Sequence, residues 1–247
     1  MDFRAALLDQ TREFGELIRS ADPSTPVPTC PDWTLKQLFR HVGRGNRWAA
    51  QIIAERRMSA LDPREVRDGK PPDEPEGAAD WFNQGAQLVV DAVERAGAAT
   101  RVWTFRGPRP AGWWIRRRLH EVTVHHADAA LALGGDYAPP PELAADAISE
   151  WVELMIAAGP PPALDPGRSI HMHATDEGLG PTGEWTIVHD ELGVSWSHDH
   201  SKADAALRGS ATDLLLAITR RRTVADLGIE VFGDAAVWEA WLERTAF

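Results

Sequence analysis

The sequence predicts an α+β protein of two domains. Up to about residue 158, apolar residues recur at the 3.6-residue spacing of amphipathic helices. The proline-rich segment GPPPALDPG then interrupts this pattern, and beyond it apolar and polar residues alternate with a period of two, as in half-buried strands. We therefore expect a helical domain over residues 1–160 and a small α+β domain over residues 168–247.

Five helices are expected in the first part of the chain. Their apolar faces predict them at about residues 3–21, 34–60, 78–97, 113–133 and 141–158. Asp32 or Thr34 is the expected N-cap of the second helix, and the proline- and charge-rich segment 62–77 is expected to be an exposed loop. The first four helices are long enough for an up-and-down four-helix bundle, a frame in which inward side chains commonly bind metals.

The second domain is predicted to combine strands with two helices. SIHMHAT and the two halves of GEWTIVHDELGVSWSH alternate as strands do, and DAALRGS and LGIEVFGD also favour strands. ATDLLLAITRR and AAVWEAWLERTA have helical periodicity. This mixture is typical of a compact α+β fold.

Charge and composition exclude several classes of partner. The chain carries 37 acidic and 26 basic residues, a net charge of −11, so we expect neither nucleic acid nor an anionic membrane as its main partner. No apolar stretch approaches the roughly 18 to 20 residues that cross a bilayer. The single cysteine, Cys30, cannot form an intramolecular disulfide, and the N-terminal run lacks the apolar core of a signal peptide. We therefore expect a cytoplasmic protein.

Three residues are candidate ligands of one divalent metal ion. Glu121 and His125 lie four residues apart, on one face of the predicted fourth helix, where their side chains can converge on an ion about 2.0 to 2.2 Å away. His41 lies at the edge of an apolar stripe in the second helix and is expected to point partly inward. Asp128, three residues beyond His125, could accept the other ring N–H of a ligating histidine.

Each candidate also has a simpler explanation. A glutamate and a histidine four residues apart often form a weak pair on a solvated helix. A half-buried histidine such as His41 is often neutral and bonded to a backbone carbonyl. Cys30 has no identifiable base beside it, so a buried inert thiol is the expected state.

Six other histidines are expected to lie outside this centre. Two pairs on a predicted strand face or in a loop could chelate a metal of their own, but histidines in such positions usually face solvent. Two more lie beside the metal motif on other helical faces, where they are expected to pack or to support a ligand. The first group contains His171, His173, His198 and His200, and the second contains His120 and His126. Among the tryptophans, those that adjoin the metal-bearing helices are expected near the pocket: Trp33, Trp113 and Trp114.

Two motifs resemble the mycothiol-dependent maleylpyruvate isomerase family. CPDWTLKQLFRHVGRGNRWA is similar to its second-helix motif, and RRLHEVTVHHADA is similar to its glutamate and histidine motif with the trailing aspartate. The stretch from HMHATDEGLGPTGEWTIV through ADAALRGSATDLLLAI to IEVFGD resembles the smaller domain of that family. The resemblance covers most of the chain and implies a DinB-like four-helix bundle followed by a sterol-carrier-like α+β domain.

The resemblance also implies a cofactor and a reaction. A divalent metal, typically zinc, would be held by His41, Glu121 and His125, with a fourth position left for water or a thiol. Mycothiol would attack a small electrophilic substrate as a metal-bound thiolate, in an isomerase or an S-transferase. Arg221 matches an arginine that could hold an anionic carboxylate or the cofactor, although many relatives carry Trp-Gly-Arg where this chain has Thr219, Arg220 and Arg221.

Two other functions stay open at this point. On the same scaffold a metal could activate water, in a hydrolase or lyase that needs no thiol. Alternatively, the chain could be a non-catalytic protein that binds an apolar ligand and keeps a structural metal. The electrophile itself is not encoded in any motif of the sequence.

Overall fold

The computed structural model describes residues 1–159 and 161–245, which divide into two compact units, one ending at Tyr137 and one beginning at Ala138. The first unit is helical and the second combines a sheet with helices. The α+β class predicted from the sequence is thereby confirmed.

Four long helices pack together in the first unit. They are α1 (Phe3–Ile18), α2 (Leu35–Ala54), α3 (Pro75–Ala96) and α4 (Trp113–Ala132). α2 packs most closely on α3, α1 packs on α4 and α3, and α2 also contacts α4. The core between them is fully buried and consists largely of aliphatic and phenyl side chains, among them Leu7, Phe14, Leu38, Val42, Phe82 and Leu119.

The ends of these helices follow local chemistry. Thr34 caps α2: its hydroxyl accepts from the Gln37 N–H, and the Gln37 side chain accepts from the Thr34 N–H at 2.7 Å. α2 ends well before the predicted residue 60 because Arg56 adopts a left-handed conformation with φ of 46°. α3 begins at Pro75, earlier than predicted, since proline is well tolerated in the first helical turn.

A short hairpin between α3 and α4 was not predicted. Its strands, β1 (Arg101–Val102) and β2 (Arg109–Pro110), have two residues each and pair antiparallel. Two residues are too few to produce an alternating pattern, so the sequence carries no periodic signal for them.

The second unit is built on a five-stranded sheet. Its elements are α5 (Pro141–Ile156), β3 (Ser169–Ala174), β4 (Glu184–Asp190), β5 (Gly193–Ser197), β6 (Ala205–Gly209), α6 (Ala211–Ile218), β7 (Glu230–Gly233) and α7 (Ala235–Arg244). The strand order is β5-β4-β3-β6-β7, with β3 and β6 parallel and the other neighbours antiparallel. Each predicted strand and helix of this part is present.

One face of this sheet forms the core of the second unit. Ile170, Met172, Trp185 and Ile187 are fully buried. α5 packs on α6, and the Trp185 indole N–H donates to the Ser149 hydroxyl of α5 at 2.9 Å. α5 therefore belongs to the sheet-containing unit, whereas its helical periodicity predicted that it belongs to the helical domain. Its periodicity shows that one face is buried but does not show which core buries it.

None of the helices in the described residues is both long enough and apolar enough to cross a bilayer.

Candidate metal centre

His41, Glu121 and His125 lie together in the first unit. His41 is on α2, and the other two residues are one turn apart on α4, which α2 contacts. Glu121 Oε2 lies 3.7 Å from His41 Nε2 and 3.8 Å from His125 Nε2. The three donor atoms all lie within 4.8 Å of one another. The structure thus brings together the three residues predicted as ligands.

This donor set fits a divalent metal such as zinc. In a tetrahedral site with bonds of roughly 2.0 to 2.2 Å, ligand atoms lie about 3.4 Å apart, close to the two separations observed here. Two imidazoles and one carboxylate form a known ligand set of catalytic zinc and leave the fourth position for an exchangeable group. The His41 side chain is 43% exposed, so the centre is accessible from solvent on that side.

Two arginines fix the charge and the direction of Glu121. Arg117 Nη2 donates to Glu121 Oε1 at 2.6 Å, and Arg118 Nη1 lies 3.6 Å from Oε2. Burial raises the pKa of Glu121, but Arg117, His41, Arg118 and His125 outweigh this effect and hold that pKa well below its usual range. Glu121 is therefore a carboxylate at neutral pH, with Oε2 facing the two histidines.

Neither arginine was among the predicted site residues. Arg117 and Arg118 precede Glu121 by four and three residues, so their spacing on a helix is the signal that could have indicated the pairing.

His41 is held in the form that binds metals. Burial is the main cause that lowers its pKa, the neighbouring Glu121 raises that pKa, and the charges of His125 and Arg118 lower it again, so that the net shift is downward. The imidazole is therefore neutral at pH 7, with a lone pair available. The Trp33 ring lies 4.8 Å from that of His41 and 6.3 Å from that of His125, measured between centroids. Trp33 therefore borders the centre, as expected.

The other two tryptophans expected near the pocket pack elsewhere in the first unit. Trp113 and Trp114 contact each other and the ring of Phe105.

Asp128 orients His125 by contacting Nδ1, the ring nitrogen that is not directed toward Glu121. It is fully buried, and its Oδ2 lies 2.8 Å from His125 Nδ1. Because an ionised carboxylate only accepts, Nδ1 carries the proton and Nε2 keeps its lone pair for a metal. Thr29 donates its hydroxyl to Asp128 Oδ1 at 2.6 Å, and the Cys30 thiol donates to Oδ2 at 3.4 Å.

The position of Cys30 differs from the expectation of a buried inert thiol. It is partly exposed, and its sulfur, His125 and Asp128 form a second group of closely spaced donor atoms that overlaps the first. Thr29 and Cys30 reach the site from the loop before α2, and no pattern in the sequence indicated that contact.

Three further residues considered from the sequence are not among the candidate ligands: His126, His120 and Arg221. His126 stacks on Phe14 and lies 3.3 Å from Gln10 Oε1, and its burial lowers its pKa to about 4, so it packs as expected. His120 is also buried. Arg221 follows α6 in the second unit and donates from Nη1 to the Thr219 carbonyl at 2.7 Å, and its proposed role in binding an anion stays a prediction.

The expectation that the strand-face histidines face solvent is wrong for His171, which is 6% exposed. His171, His173 and His200 all contact the Glu184 carboxylate. The pairing of β3 with β4 produces this cluster, because it places Glu184 directly opposite His173.

Two cavities of the first unit lie away from the candidate ligands. One of about 600 Å³ is lined by Arg47, Trp81 and the segment around Lys70, and another of about 420 Å³ lies between α1, α2 and the start of α3. His41, Glu121 and His125 line neither of them. The donor chemistry, rather than cavity size, therefore identifies the candidate site.

The fold is that of an α+β protein, and its helical unit carries two histidines and a glutamate whose donor atoms lie close enough together to hold a metal ion. Residues 4–130 match the family model described as the mycothiol maleylpyruvate isomerase N-terminal domain, and residues 142–240 match the MDMPI C-terminal domain. The chain belongs to the mycothiol maleylpyruvate isomerase family. The two matched regions are separated where the structure itself divides, near Tyr137.

Solved structures support the same fold. A crystal structure of the mycothiol-dependent maleylpyruvate isomerase is similar with a TM-score of 0.55 and 13% identity, over 87% of this chain and 86% of that chain. A histidine-to-alanine mutant of a mycothiol-dependent maleylpyruvate isomerase gives a TM-score of 0.48 and 14% identity over the same shares. Only the first is close enough to support an argument, and it concerns the fold. No curated protein sequence matches the chain significantly.

Membership of this family supports an enzymatic role of the thiol-dependent isomerase kind. The geometry of the candidate centre is consistent with that role, because it provides three closely spaced donor atoms that solvent can reach through His41.

Proposed function

We propose that this chain is a metal-dependent enzyme that uses mycothiol to modify a small electrophilic substrate, as an isomerase or an S-transferase. Three observations support the proposal: the family, the convergence of His41, Glu121 and His125, and the exposure of the centre through His41. The observation that carries it is the position of Glu121 Oε2, 3.7 and 3.8 Å from the two imidazole Nε2 atoms.

His41, Glu121 and His125 would hold the cation, for which zinc is the best match to the donor set. When bound, the cation supplies positive charge that keeps a thiol ionised at neutral pH and hence nucleophilic. Asp128 keeps the proton of His125 on Nδ1, and Arg117 keeps Glu121 Oε2 turned toward the two histidines. These side chains thus prepare the donors before any ligand binds.

The reaction requires an electron-poor double bond in the substrate. The sulfur of the ionised thiol forms a bond to one carbon, and the electron pair of the double bond moves toward the activating group. In an isomerase, rotation about the resulting single bond is followed by expulsion of the thiolate, whereas in an S-transferase the adduct takes up a proton and is released. We further propose that Arg221 binds an anionic group of the substrate or of mycothiol, because its planar guanidinium suits a carboxylate.

Cobalt substitution tests the proposal directly. Cobalt(II) in place of the native metal should develop a sulfur-to-cobalt charge-transfer band when mycothiol is added. Cys30 lies close enough to the site to supply a sulfur of its own, so the experiment is done in parallel with Cys30→Ser. A band that appears in both proteins but is lost in His41→Ala supports the proposal.

Two outcomes would count against the proposal. If cobalt binds but mycothiol produces no new band in either protein, the thiol does not reach the metal and activation of water becomes the better explanation. If His41→Ala retains both metal and turnover at the wild-type level, His41 is not a ligand and the proposed centre is wrong.

A further inference from the structure

A second cluster of metal-binding side chains lies in the other unit, on the sheet. His171 and His173 are two residues apart on β3 and therefore point to the same face. The antiparallel register places Glu184 of β4 opposite His173, and places Thr186 opposite His171. Ile170 and Met172 point to the opposite face, into the core, so this histidine face is the other side of the sheet.

Three imidazoles converge on the carboxylate of Glu184. His171 Nε2 lies 2.7 Å from Oε2, His173 Nδ1 lies 2.6 Å from Oε1, and His200 Nδ1 lies 3.1 Å from Oε1. The Glu184 and His171 side chains are only 14% and 7% exposed, whereas that of His200 is 74% exposed. Burial raises the pKa of Glu184, but the hydrogen bonds from the three histidines lower it further than burial raises it. Glu184 is therefore a partly buried carboxylate surrounded by nitrogen donors.

The donor atoms of His171, Glu184 and His200 lie within 4.8 Å of one another. Ligands of one tetrahedral ion lie about 3.4 Å apart, so an ion between them requires small side-chain movements only. Each ring nitrogen now within hydrogen-bond distance carries a proton, and a cation would take the place of those protons on the coordinating nitrogens.

Most of the potential metal ligands in this cluster are histidine nitrogens, and only Glu184 supplies oxygen. Magnesium and calcium prefer sites made almost entirely of oxygen, so two imidazoles and one carboxylate point instead to zinc or a similar transition metal. The third of these histidines, His173, contacts Glu184 Oε1 and supports the carboxylate in the way that hydrogen-bonded neighbours of metal ligands usually do.

We propose that His171, Glu184 and His200 form a second divalent-metal site, selective for zinc-like ions and independent of the centre on α2 and α4. The ion would attach the loop between β5 and β6 to the sheet, because His200 belongs to that loop and the other two ligands belong to β3 and β4. Two bonds already anchor the same loop: Thr186 donates its hydroxyl to the Asp199 carbonyl at 2.6 Å, and His198 Nδ1 lies 2.6 Å from the Glu184 carbonyl oxygen. The proposed role is therefore to fix this loop, with one coordination position left for water.

The test uses the full chain with the first centre disabled. His125 belongs to both donor groups of the first unit, so His125→Ala removes them together. This variant is stripped with a chelator and titrated with zinc against a chromophoric competitor. We expect one equivalent of zinc to bind, and we expect this equivalent to be lost when His200→Ala is added. Since His200 is largely exposed, that substitution should leave the fold intact, which circular dichroism verifies.

Two further variants make the result specific. Glu184→Gln preserves the shape of the side chain but removes its charge, and it should also abolish the binding of this equivalent of zinc. His189→Ala removes a histidine of β4 that lies outside the cluster and contacts the Leu164 carbonyl, so zinc binding should persist. The proposal is overturned if His125→Ala binds no zinc, or if the bound equivalent survives both His200→Ala and Glu184→Gln. Neither result bears on the mycothiol reaction, which is measured separately.

Discussion

Asp128 Oδ2 lies 2.8 Å from His125 Nδ1, and this contact determines which nitrogen of His125 is available to a metal. Asp128 is fully buried and receives two further donors from the loop before α2, Thr29 and Cys30. A buried carboxylate with defined partners cannot rotate freely, so His125 is held with Nε2 toward Glu121. The candidate centre thus depends on a residue that does not itself face the ion.

Asp128→Asn is expected to weaken metal binding at the first centre by about 10- to 100-fold, because it removes the charge that orients and polarises His125. Competition titration with zinc measures the change, in a chain that also carries His200→Ala so that the second cluster does not contribute. Thr29→Val is the matched control: it removes a partner of Asp128 but leaves the contact with His125, and a smaller loss is expected. Equal affinity in Asp128→Asn and the parent chain would contradict this role.

Thr34→Ala is expected to reduce the free energy of unfolding by about 1 kcal/mol, since it removes the N-cap of the helix that carries His41. Chemical denaturation followed by circular dichroism measures this change. Ser201→Ala, at an exposed loop position, makes a comparable chemical change without a helix cap and should have little effect. If both variants unfold at the same denaturant concentration, the cap does not stabilise α2.

Spacing along a helix was enough to predict that two of the three candidate ligands lie together. Glu121 and His125 share a face of α4 because side chains four residues apart always do, and Asp128 follows from the same rule. His41 is different. Its place beside Glu121 depends on how α2 packs on α4, which periodicity does not specify. The apolar stripe predicted only that His41 points partly inward, and the family resemblance then indicated it as a ligand.

Several features that the sequence did not predict depend on contacts between distant segments. The loop residues Thr29 and Cys30 reach Asp128 almost a hundred residues away. The Glu184 cluster requires the register of β3 against β4, and a shift of one residue would turn Glu184 to the opposite face. Likewise, the helical pattern of α5 did not show that its apolar face packs on α6.

Gly43→Ala is expected to destabilise the first unit by about 1 to 3 kcal/mol through overpacking. A Cβ atom at Gly43 would lie 2.2 Å from Cζ3 of Trp81, where α2 and α3 approach closely. Trp81 cannot move aside easily, because its indole N–H donates to the Asp68 carbonyl at 2.6 Å and Arg47 lies 4.5 Å above its ring. Thermal and chemical denaturation give the change in stability.

Gly15→Ala is the matched control and should have the opposite sign. Gly15 is also buried within a helix, but its nearest neighbour would be Phe82 Cδ1 at 3.5 Å, an ordinary contact. Alanine there should stabilise α1 by about 0.5 to 1 kcal/mol, since glycine is the poorer helix former. A loss of similar size in both variants would mean that the close approach of Trp81 is not the cause.

Asp204→Asn is expected to change how the stability of the second unit depends on pH. Asp204 Oδ2 accepts from the backbone N–H and the hydroxyl of Ser169, both at 2.8 Å, which joins the start of β3 to the residue before β6. The Ser169 hydroxyl is the main cause that lowers the pKa of Asp204, with smaller contributions from the Ser169 N–H and Arg168, while burial opposes them. Since the folded-state pKa lies below the unfolded value of about 3.9, the stabilisation is fully present above that value and is lost as the pH falls through the folded pKa.

The melting temperature of Asp204→Asn should therefore lie below that of the parent chain at pH 7, and the gap should close on acidification. Asp73→Asn, at an exposed position, controls for the loss of one charge. If the difference in melting temperature between Asp204→Asn and the parent chain stays constant down to pH values below the folded pKa, the ionised contact with Ser169 is not its cause.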